Sequence, residues 1–326
     1  MIDIRNLSIL GAIAGLIAIG IVIAIVLGPA SLEWGELLAG VFTRDDPVVK
    51  IVVWDIRIPR IIICILVGFC LGLSGAMIQL STRNPLGDPQ LFGLGGGAAV
   101  VQALSMAGII VVGPWVLVSL SILASIGCAF VITFFSFKDY ISQSRLALIG
   151  VSFSAISVAI SMSIFAQARI FSQQTIHFIG GSMSNRILDN IVPTLPFLLV
   201  AILLAPPIAA RLNLLSLGDR IAYNLGGRPG FTRIMAMSSA GILAGIAVSM
   251  AGLIGFVGLV VPHISRLLVG HDARAVMLVS APLGALLVLY ADQIARLAFM
   301  PSEIPVGMVT TLVGAPLMIF IARRLI

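Results

Sequence analysis

The feature that most constrains this chain is a succession of long apolar runs that continues from one end to the other. Ten such runs are present, and each is close to the roughly 17–25 residues that an α-helix needs to cross a bilayer. They cover residues 7–27, 58–80, 91–112, 114–136, 145–167, 191–210, 232–251, 253–269, 276–299 and 306–322. Inside a bilayer such runs must be helical, because a helix satisfies its own backbone hydrogen bonds. The sequence therefore predicts an all-α, polytopic membrane protein with about ten transmembrane helices.

Composition excludes a soluble protein. The 326 residues are 60% hydrophobic and 10% charged, whereas soluble domains contain about 25% charged residues. The first apolar run is longer than the apolar core of a signal peptide, so we expect it to remain as a membrane span. The connections leave no room for a separate soluble domain. We therefore predict a single transmembrane domain over residues 1–326.

The distribution of charge predicts the orientation in the membrane. With ten spans both termini lie on one side, and that side carries twelve of the 19 Lys and Arg residues, against seven on the other. By the positive-inside rule both termini are cytoplasmic. The cytoplasmic side also has five carboxylates and the outer side eight, so the net charges are 12 − 5 = +7 and 7 − 8 = −1. The basic balance thus reflects topology and predicts no nucleic-acid partner.

Three connections are longer than the rest, namely 28–57 and 168–190 outside and 211–231 inside. The inner loop contains "LLSLGDRIAYNLGG" at 214–227, which predicts a short amphipathic helix with Leu217, Ile221 and Leu225 along one stripe. This helix is too short to span the bilayer and too polar for a core. It is either a solvated surface helix or a docking element for a partner.

Motifs of soluble enzymes are lacking. The sequence has no P-loop, no H-E-x-x-H and no G-x-S-x-G motif, so we expect a chain that is not an enzyme and binds no ATP or metal itself. The G-x-G-x-x-A pattern at 93–98 is typical of close helix packing. The three cysteines (Cys64, Cys70 and Cys128) lie within apolar runs and are interpreted as packing residues.

A few charged and turn-forming residues lie near the ends of the runs. Asp292 is followed four residues later by Arg296, which predicts an ion pair on one helix face. Arg57 and Arg60 bracket the proline of "RIPR" and either snorkel to the interface or form a cationic patch for a partner. The stretch 81–93, with two prolines, predicts a non-helical segment that is a plain turn or part of a gate.

Two stretches resemble one another within the chain. Residues 144–169 and 273–296 each open with an Arg inside and close with an Arg outside. Duplicated halves are common in transporters, and this similarity is compatible with an internal duplication or with chance.

Five ordered motifs resemble a known family. They are "RIPR" (57–60), "GLSGAMIQLSTRNPLGDPQLFGL" (72–94), "LSLGDRIAYNLG" (215–226), "GFVGLVVPHISRLLVG" (255–270) and "EIPVGMVTTLVGAPLMIFI" (303–321). Together they are similar to the permeases of the FecCD type, which are the membrane subunits of type II ABC importers for ferric siderophores, haem and cobalamin. The resemblance extends from about residue 10 to the C-terminus and includes the cobalamin importer permease.

The resemblance implies a set of partners. They are an ABC ATPase subunit that binds ATP and Mg, a periplasmic substrate-binding protein, and a second permease copy that is identical or a sister chain. The location implied is the bacterial cytoplasmic (inner) membrane, with lipid around the spans. In this family a short helix on the cytoplasmic loop sits in a groove of the ATPase. The matching residues are Leu217, Gly218, Asp219, Arg220, Ile221, Leu225 and Gly226, with the glycines at the turns and Asp219 and Arg220 fixing the register.

Further roles follow from the same resemblance. Arg57, Arg60 and Arg296 match outer arginines that bind acidic residues of the periplasmic protein. The gate positions that match are Asn84, Leu86, Gln143 and Ser144, although the family more often has a smaller hydroxyl residue at the position of Gln143. The fifth and tenth spans line the pathway in the family, and the lining here includes Ser152, Ser157 and Ser161 of the fifth span if their face is inward.

The function that follows is import of a metal chelate from a periplasmic binding protein to the cytoplasm, with a ferric siderophore as the commonest substrate of the family. Haem, cobalamin and oxyanions stay open as substrates. A less favoured alternative is an ion-coupled secondary carrier, which would need ionisable residues deep in the spans. Asp292 is the sole carboxylate within an apolar run, and it lies near the outer end.

Overall fold

The structure, a computed structural model, describes residues 4–28, 33–42, 46–137, 143–170, 172–184, 191–300 and 302–324. These residues are predominantly α-helical, and no β-strand occurs among them. The α-helices are α1 (Ile4–Val26), α2 (Trp34–Ala39), α3 (Pro47–Lys50), α4 (Ile58–Thr82), α5 (Gly96–Met106), α6 (Pro114–Phe137), α7 (Gln143–Gln167), α8 (Ser172–Gly180), α9 (Leu195–Ser216), α10 (Asp219–Asn224), α11 (Pro229–Ala251), α12 (Val257–Val269), α13 (Ala273–Leu297) and α14 (Val306–Arg324).

Each of the ten apolar runs contains a helix, but the helices are unequal in length. Within the described residues, seven are long and apolar enough to cross a membrane, whereas α5, α12 and the apolar part of α14 are shorter. The expectation of ten similar spans was therefore too simple. The shortening of α5 and α12 has a visible cause, because each follows a non-helical stretch (83–95 and 252–256) that takes up part of its apolar run.

The core of the molecule is built around α4. This helix packs against α11, α12 and α13, and most of its residues are buried. Three glycines on α4 allow the close approach: Gly68 and Gly72 face α13, and Gly75 faces Gly258 of α12. A Cβ atom at Gly68 would collide with the backbone carbonyl of Gly284. The helices thus touch backbone to backbone, which is how membrane helices gain packing energy without a hydrophobic driving force between them.

The outer helices expose apolar faces. Less than half of each of α1, α7 and α9 is buried, and their exposed residues are large and apolar, including Ile19, Ile156, Leu199 and Leu203. Such faces are unfavourable in water and favourable against lipid or against another apolar subunit. The structure is therefore that of a multi-pass membrane protein.

Polar backbone inside the fold is satisfied by neighbouring segments. Between α11 and α12 the chain turns at Gly252 (φ 75°), and the amide of Leu253 donates to the carbonyl of Phe178 at 3.0 Å.

At the outer end of α4 the helix is preceded by a π-helical stretch, Ile51–Arg57, which shifts the register and turns Arg57 inward. Stretches of π-helix inside α-helices frequently mark functional sites.

The glycine packing of α4 makes a testable prediction. We expect Gly68→Ala to lower the midpoint of thermal unfolding of the detergent-solubilised protein, because overpacking typically costs about 1–3 kcal/mol. The matched control is Gly15→Ala on α1, where a Cβ would meet no atom within 4 Å. Equal melting temperatures for the two variants would contradict the packing described here.

Candidate functional site

The cytoplasmic loop folds as a short helix set off by two glycine turns. α10 comprises the six residues Asp219–Asn224, between the end of α9 and the start of α11. Gly218 before it has φ 109° and Gly226 after it has φ 82°. Residues with a Cβ atom rarely adopt positive φ angles of this kind, so both turns favour glycine. α10 and the residues next to it (217–225) form a compact element on the surface of the bundle, called the knob below.

The apolar stripe of this knob is open to solvent. Leu217, Ile221 and Leu225 are 53%, 52% and 59% exposed, and Tyr223 is 71% exposed. Only Ala222 of α10 is buried in the protein. Three large apolar side chains thus follow one face, with Tyr223 exposed on another face of the helix, in a loop that the positive-inside rule places in the cytoplasm, outside the lipid. An exposed patch of this kind marks an interaction surface.

Asp219 has a different role from the one predicted for it. We expected it to fix the register of a partner, but its carboxylate turns back onto the protein. Arg233 of α11 donates to both carboxylate oxygens at 2.9 Å, and Arg83 forms a further ion pair with it. Burial of this carboxyl opposes the charged form, but the hydrogen bonds and charge of Arg233, with those of Arg83, outweigh it and lower the pKa of Asp219. Of the two residues predicted to fix the register, Arg220 is the exposed one and is therefore available to a partner.

The pairing of Asp219 connects the knob to α4. Arg83 is the residue that ends α4, with φ 52°, and Arg233 also donates to the carbonyl of Ser81 at 3.3 Å. These bonds join α10 to the last turn of α4 and to the start of the segment 83–95 that follows it. This segment contains two of the predicted gate residues.

The two predicted gate residues in this segment differ in their surroundings. Asn84 is buried, and its side-chain oxygen accepts the amide of Leu86 at 2.9 Å, which closes a turn. Leu86 is 53% exposed at the tip of that turn. Asn84 thus holds the shape of the segment, whereas the side chain of Leu86 is exposed, and the gate role of both residues stays a prediction.

Asp88 is a buried carboxyl that the sequence interpretation did not single out, since it treated the residue as one of the cytoplasmic charges. It is completely buried, and its Oδ1 accepts the amides of Gln90 and Leu91 at 2.8 and 3.1 Å. Burial raises the pKa of Asp88 to about 6, and backbone amides at the start of α12 oppose the shift. Oδ1 thereby closes a turn within the segment 83–95, whereas Oδ2 lies close to Gly258 at the start of α12 and has no hydrogen-bond partner among the described residues.

Gln79 strengthens the same junction from the side of α4. Its amide nitrogen donates to the carbonyls of Gly87, Gly258 and Leu259 at 3.0–3.1 Å, and its oxygen accepts from Arg266. The segment 83–95 is thus held by α4 and by α12 at once.

The remaining predicted gate and pathway residues lie on α7. Gln143 and Ser144 form its first turn, but their side chains lie outside the described part of the structure. Ser157 and Ser161 are buried, and their hydroxyls donate to the carbonyls of Phe153 and Ser157 at 2.9 Å. Both face the protein rather than an open path, since Ser157 lies against Gly96 of α5. Ser152 is on an exposed face.

The outer arginines are brought together at one place, as the sequence predicted, but two of them are deeply buried. Arg57 and Arg296 are 2% and 5% exposed. Arg57 donates to the carbonyls of Ile25 and Val26, and Arg296 to those of Ala24 and Leu27. The last carbonyls of a helix have no partner within the helix and carry its negative dipole end. The two guanidinium groups therefore cap the C-terminal end of α1.

Arg60 forms the ion pair that was predicted for Arg296. Its Nε donates to Asp292 at 2.9 Å and its Nη1 to Glu303 at 2.9 Å, so the predicted Asp292–Arg296 pair was wrong. The reason is that Arg296 points to the end of α1 instead. Glu303 also accepts from the hydroxyl of Ser184 at 2.7 Å. Burial raises the pKa of Glu303, but the bonds and charge of Arg60 outweigh it and the pKa is lowered. Three arginines and two carboxylates leave this outer cluster at +3 − 2 = +1.

Sequence reasoning missed Asp88, Arg233 and Glu303. The signal for Asp88 was its position between two prolines, where a charged side chain folds back on its own backbone. Arg233 and Glu303 are partners from distant segments, and only the packing of the helices reveals them.

The fold, with its long apolar helices, its non-helical segments inside the bundle and its exposed cytoplasmic knob, defines a membrane transport subunit. The model of the FecCD transport family matches residues 16–324, and the chain belongs to this family.

Relatives and a solved structure agree with this. The chain is 30% identical to the probable siderophore transport system permease protein YfiZ of Bacillus subtilis, covering 92% of this chain and 91% of that protein. It is 34% identical to the vitamin B12 import system permease protein BtuC of Klebsiella pneumoniae, covering 84% of this chain and 83% of that protein. A metal-chelate type ABC transporter, solved in an inward-facing conformation, superposes with a TM-score of 0.79 at 30% identity and covers 97% of this chain and 99% of that one. The alternative of an ion-coupled carrier is not favoured.

The anchoring of α10 makes the second prediction. A helix of six residues is not stable alone, so its order depends on the Asp219 pairs. We expect Asp219→Asn to speed hydrogen exchange of the amides of residues 219–226 by about fivefold, which corresponds to roughly 1 kcal/mol for a partly exposed pair. Arg220→Gln on the same helix is the control and should leave the exchange rates unchanged. Slow exchange in both variants would show that the ion pairs do not hold α10.

Asp88 makes a prediction about pH. Its pKa is about 6 in the folded protein and about 3.9 when unfolded, so the folded form binds the proton more tightly. Stability therefore falls as pH rises from about 4 to about 6, by an amount on the order of 3 kcal/mol. We expect Asp88→Asn to remove this part of the pH dependence of thermal unfolding in detergent. Identical pH profiles for the two proteins would contradict the burial of an ionisable carboxyl at this position.

Proposed function

We propose that this protein is the membrane subunit of an ATP-driven importer that takes a metal chelate from a periplasmic binding protein and releases it into the cytoplasm. Its place is the bacterial cytoplasmic (inner) membrane. The observation that carries the proposal is the exposed apolar knob at α10, anchored to α4 through Asp219. Family membership and the similarity to a metal-chelate type ABC transporter support it.

The ATP chemistry belongs to a separate subunit in this proposal. The chain itself performs no catalysis and holds no cofactor, and ATP and Mg bind to the partner ATPase. The knob would enter a groove of that ATPase, with Leu217, Ile221 and Leu225 buried on contact and Arg220 at the rim. Burial of three apolar side chains of this size is worth several kcal/mol. Movement of the ATPase would then reach the segment 83–95 through Arg83 and Arg233.

A second copy of the permease completes the path. The exposed faces of α7 and α14 are apolar and belong to helices that lie at the edge of the bundle, with Ile156, Ile160, Leu312 and Val313 among their exposed residues. We propose that these faces meet the second permease, which is identical or a sister chain, and that the substrate moves between the two.

The periplasmic partner would dock over the outer cluster. In the folded protein all three arginines already have internal partners, because Arg57 and Arg296 cap α1 and Arg60 is paired with two carboxylates. Acidic groups on the binding protein would compete with these internal acceptors. Arg60 and Glu303, which are the less buried members, lie nearest to such a partner.

The substrate we propose is a ferric siderophore, on the similarity to the siderophore permease YfiZ. The chain is also 34% identical to a vitamin B12 permease over 84% of its length, and a wide pathway between two subunits needs few specific contacts. Cobalamin and haem are therefore the alternative substrates, and the binding protein selects among them.

The coupling role of α10 can be tested by charge insertion. We expect Ile221→Asp or Leu217→Asp to release the ATPase from the detergent-solubilised complex, because an unpaired carboxylate buried in an apolar groove costs several kcal/mol. The measurement is the amount of ATPase that co-purifies with the tagged permease. His271→Asp, an exposed site on another predicted cytoplasmic loop, is the matched control and should retain the ATPase. Full co-purification with all three variants would refute the proposal for α10.

The dual role of the outer arginines can be separated by measuring two quantities in one variant. Arg57→Gln removes a cap of α1, so we expect a lower melting temperature whether or not a partner docks. If the binding protein also uses this guanidinium, its affinity should fall as well, and the loss should shrink at high salt. A lower melting temperature with unchanged affinity would assign Arg57 to folding alone.

A further inference from the structure

A pocket on the cytoplasmic side of the fold is not used by any of the roles above. It lies between α9, α11 and the inner side of α10 and has a volume of about 320 Å³. Its lining combines two arginines with apolar and aromatic side chains: Arg211, Leu214, Leu215, Arg228 and Phe231, together with backbone of 226–227. No Asp or Glu is among the residues that line it.

The two arginines of the pocket have no carboxylate partner within the described residues. The ion pairs found there involve Arg60, Arg83 and Arg233, and neither Arg211 nor Arg228 is among them. Instead, the guanidinium of Arg211 lies 5.3 Å from the ring centre of Phe231 and against the sulfur of Met235. Stacking on an aromatic ring fixes the plane of a guanidinium and leaves its N–H donors free for an anion.

The position of Arg211 is at the end of a lipid-facing stripe. Val200, Pro207 and Arg211 are all exposed and follow one face of α9, since they are separated by seven and four residues. Arg211 directly follows the apolar run 191–210, and 20 residues of helix span about 30 Å, which is the thickness of the hydrocarbon core. Phe231, 50% exposed on the neighbouring helix, has the place of an aromatic residue of the interfacial belt. The pocket therefore opens at the level of the cytoplasmic head groups.

We infer that this pocket binds the phosphate head group of an anionic phospholipid of the cytoplasmic leaflet, such as phosphatidylglycerol. The phosphate lies between Arg211 and Arg228, and the acyl chains follow the apolar stripe of α9. Basic pockets between transmembrane helices on the cytoplasmic side are suited to such head groups. The pocket is continuous with the apolar stripe, and only a lipid has acyl chains that would contact this stripe. A soluble anion would gain nothing from that contact.

The pocket shares a wall with the candidate coupling helix. Ala222 is the buried residue of α10 and lines the pocket, as do Gly226 and Gly227. A bound lipid would therefore support the knob from its inner side, while Asp219 anchors it at its first residue. The lipid site itself does not depend on the proposed transport function.

The site can be tested by lipid selectivity. The complex is reconstituted in phosphatidylcholine vesicles, and the association of spin-labelled phosphatidylglycerol is compared with that of spin-labelled phosphatidylcholine by electron paramagnetic resonance. We expect a preference for phosphatidylglycerol of about fivefold or more at the site, and its loss in Arg211→Gln/Arg228→Gln. Arg211→Lys/Arg228→Lys should retain most of the preference, because both charges remain.

The matched control is Arg274→Gln, which removes an exposed arginine at the predicted cytoplasmic start of α13 that does not line the pocket. It should leave the preference unchanged. Equal selectivity in the wild type and the double Gln variant would overturn the inference. So would a preference abolished by millimolar inorganic phosphate at constant ionic strength, because the site would then bind a free anion. A third contrary result is loss of ATPase binding in uncharged detergent with lipid selectivity intact, since the arginines would then serve the partner protein.

Discussion

The structure depends on the close contact of α4 with its neighbours, which three glycines make possible. Because Gly68, Gly72 and Gly75 lack side chains, the backbone of α4 touches that of α13 and α12 directly. Everything else is arranged around this contact. At the cytoplasmic end of α4 lie Gln79 and Arg83, which hold the segment 83–95 and the candidate coupling helix. At its outer end lies Arg60, paired with Asp292 of α13.

These contacts give a physical route from the cytoplasmic knob to the interior. Asp219 links α10 to Arg83, the residue that directly follows α4, and Gln79 of α4 holds the next segment against the start of α12. Charged groups at these points are costly to bury unless they are paired or hydrogen-bonded. The fold therefore requires the residues that bond to them. The route consists of packed and bonded elements, and a two-state movement along it is what the proposed function requires.

The sequence was sufficient for the class of fold and for the amphipathic helix of the 211–231 loop, because these depend on local hydropathy and spacing. The orientation in the membrane stays a prediction. The sequence was insufficient for the pairing of charges. The rule that residues four apart attract one another led to Asp292 and Arg296, but helix packing offered Asp292 a better-placed partner in Arg60. The lengths of α5 and α12 were also overestimated, since an apolar run does not reveal that its first four or five residues are non-helical.

The central claim, that this chain imports a chelate under the power of a separate ATPase, can be measured directly in reconstituted vesicles. The permease and ATPase are placed in vesicles loaded with ATP, and the cognate binding protein with its radiolabelled ferric chelate is supplied outside. The account predicts uptake that requires internal ATP, is blocked by vanadate and persists when ionophores collapse the proton and sodium gradients. Uptake without ATP that follows an imposed ion gradient would contradict it.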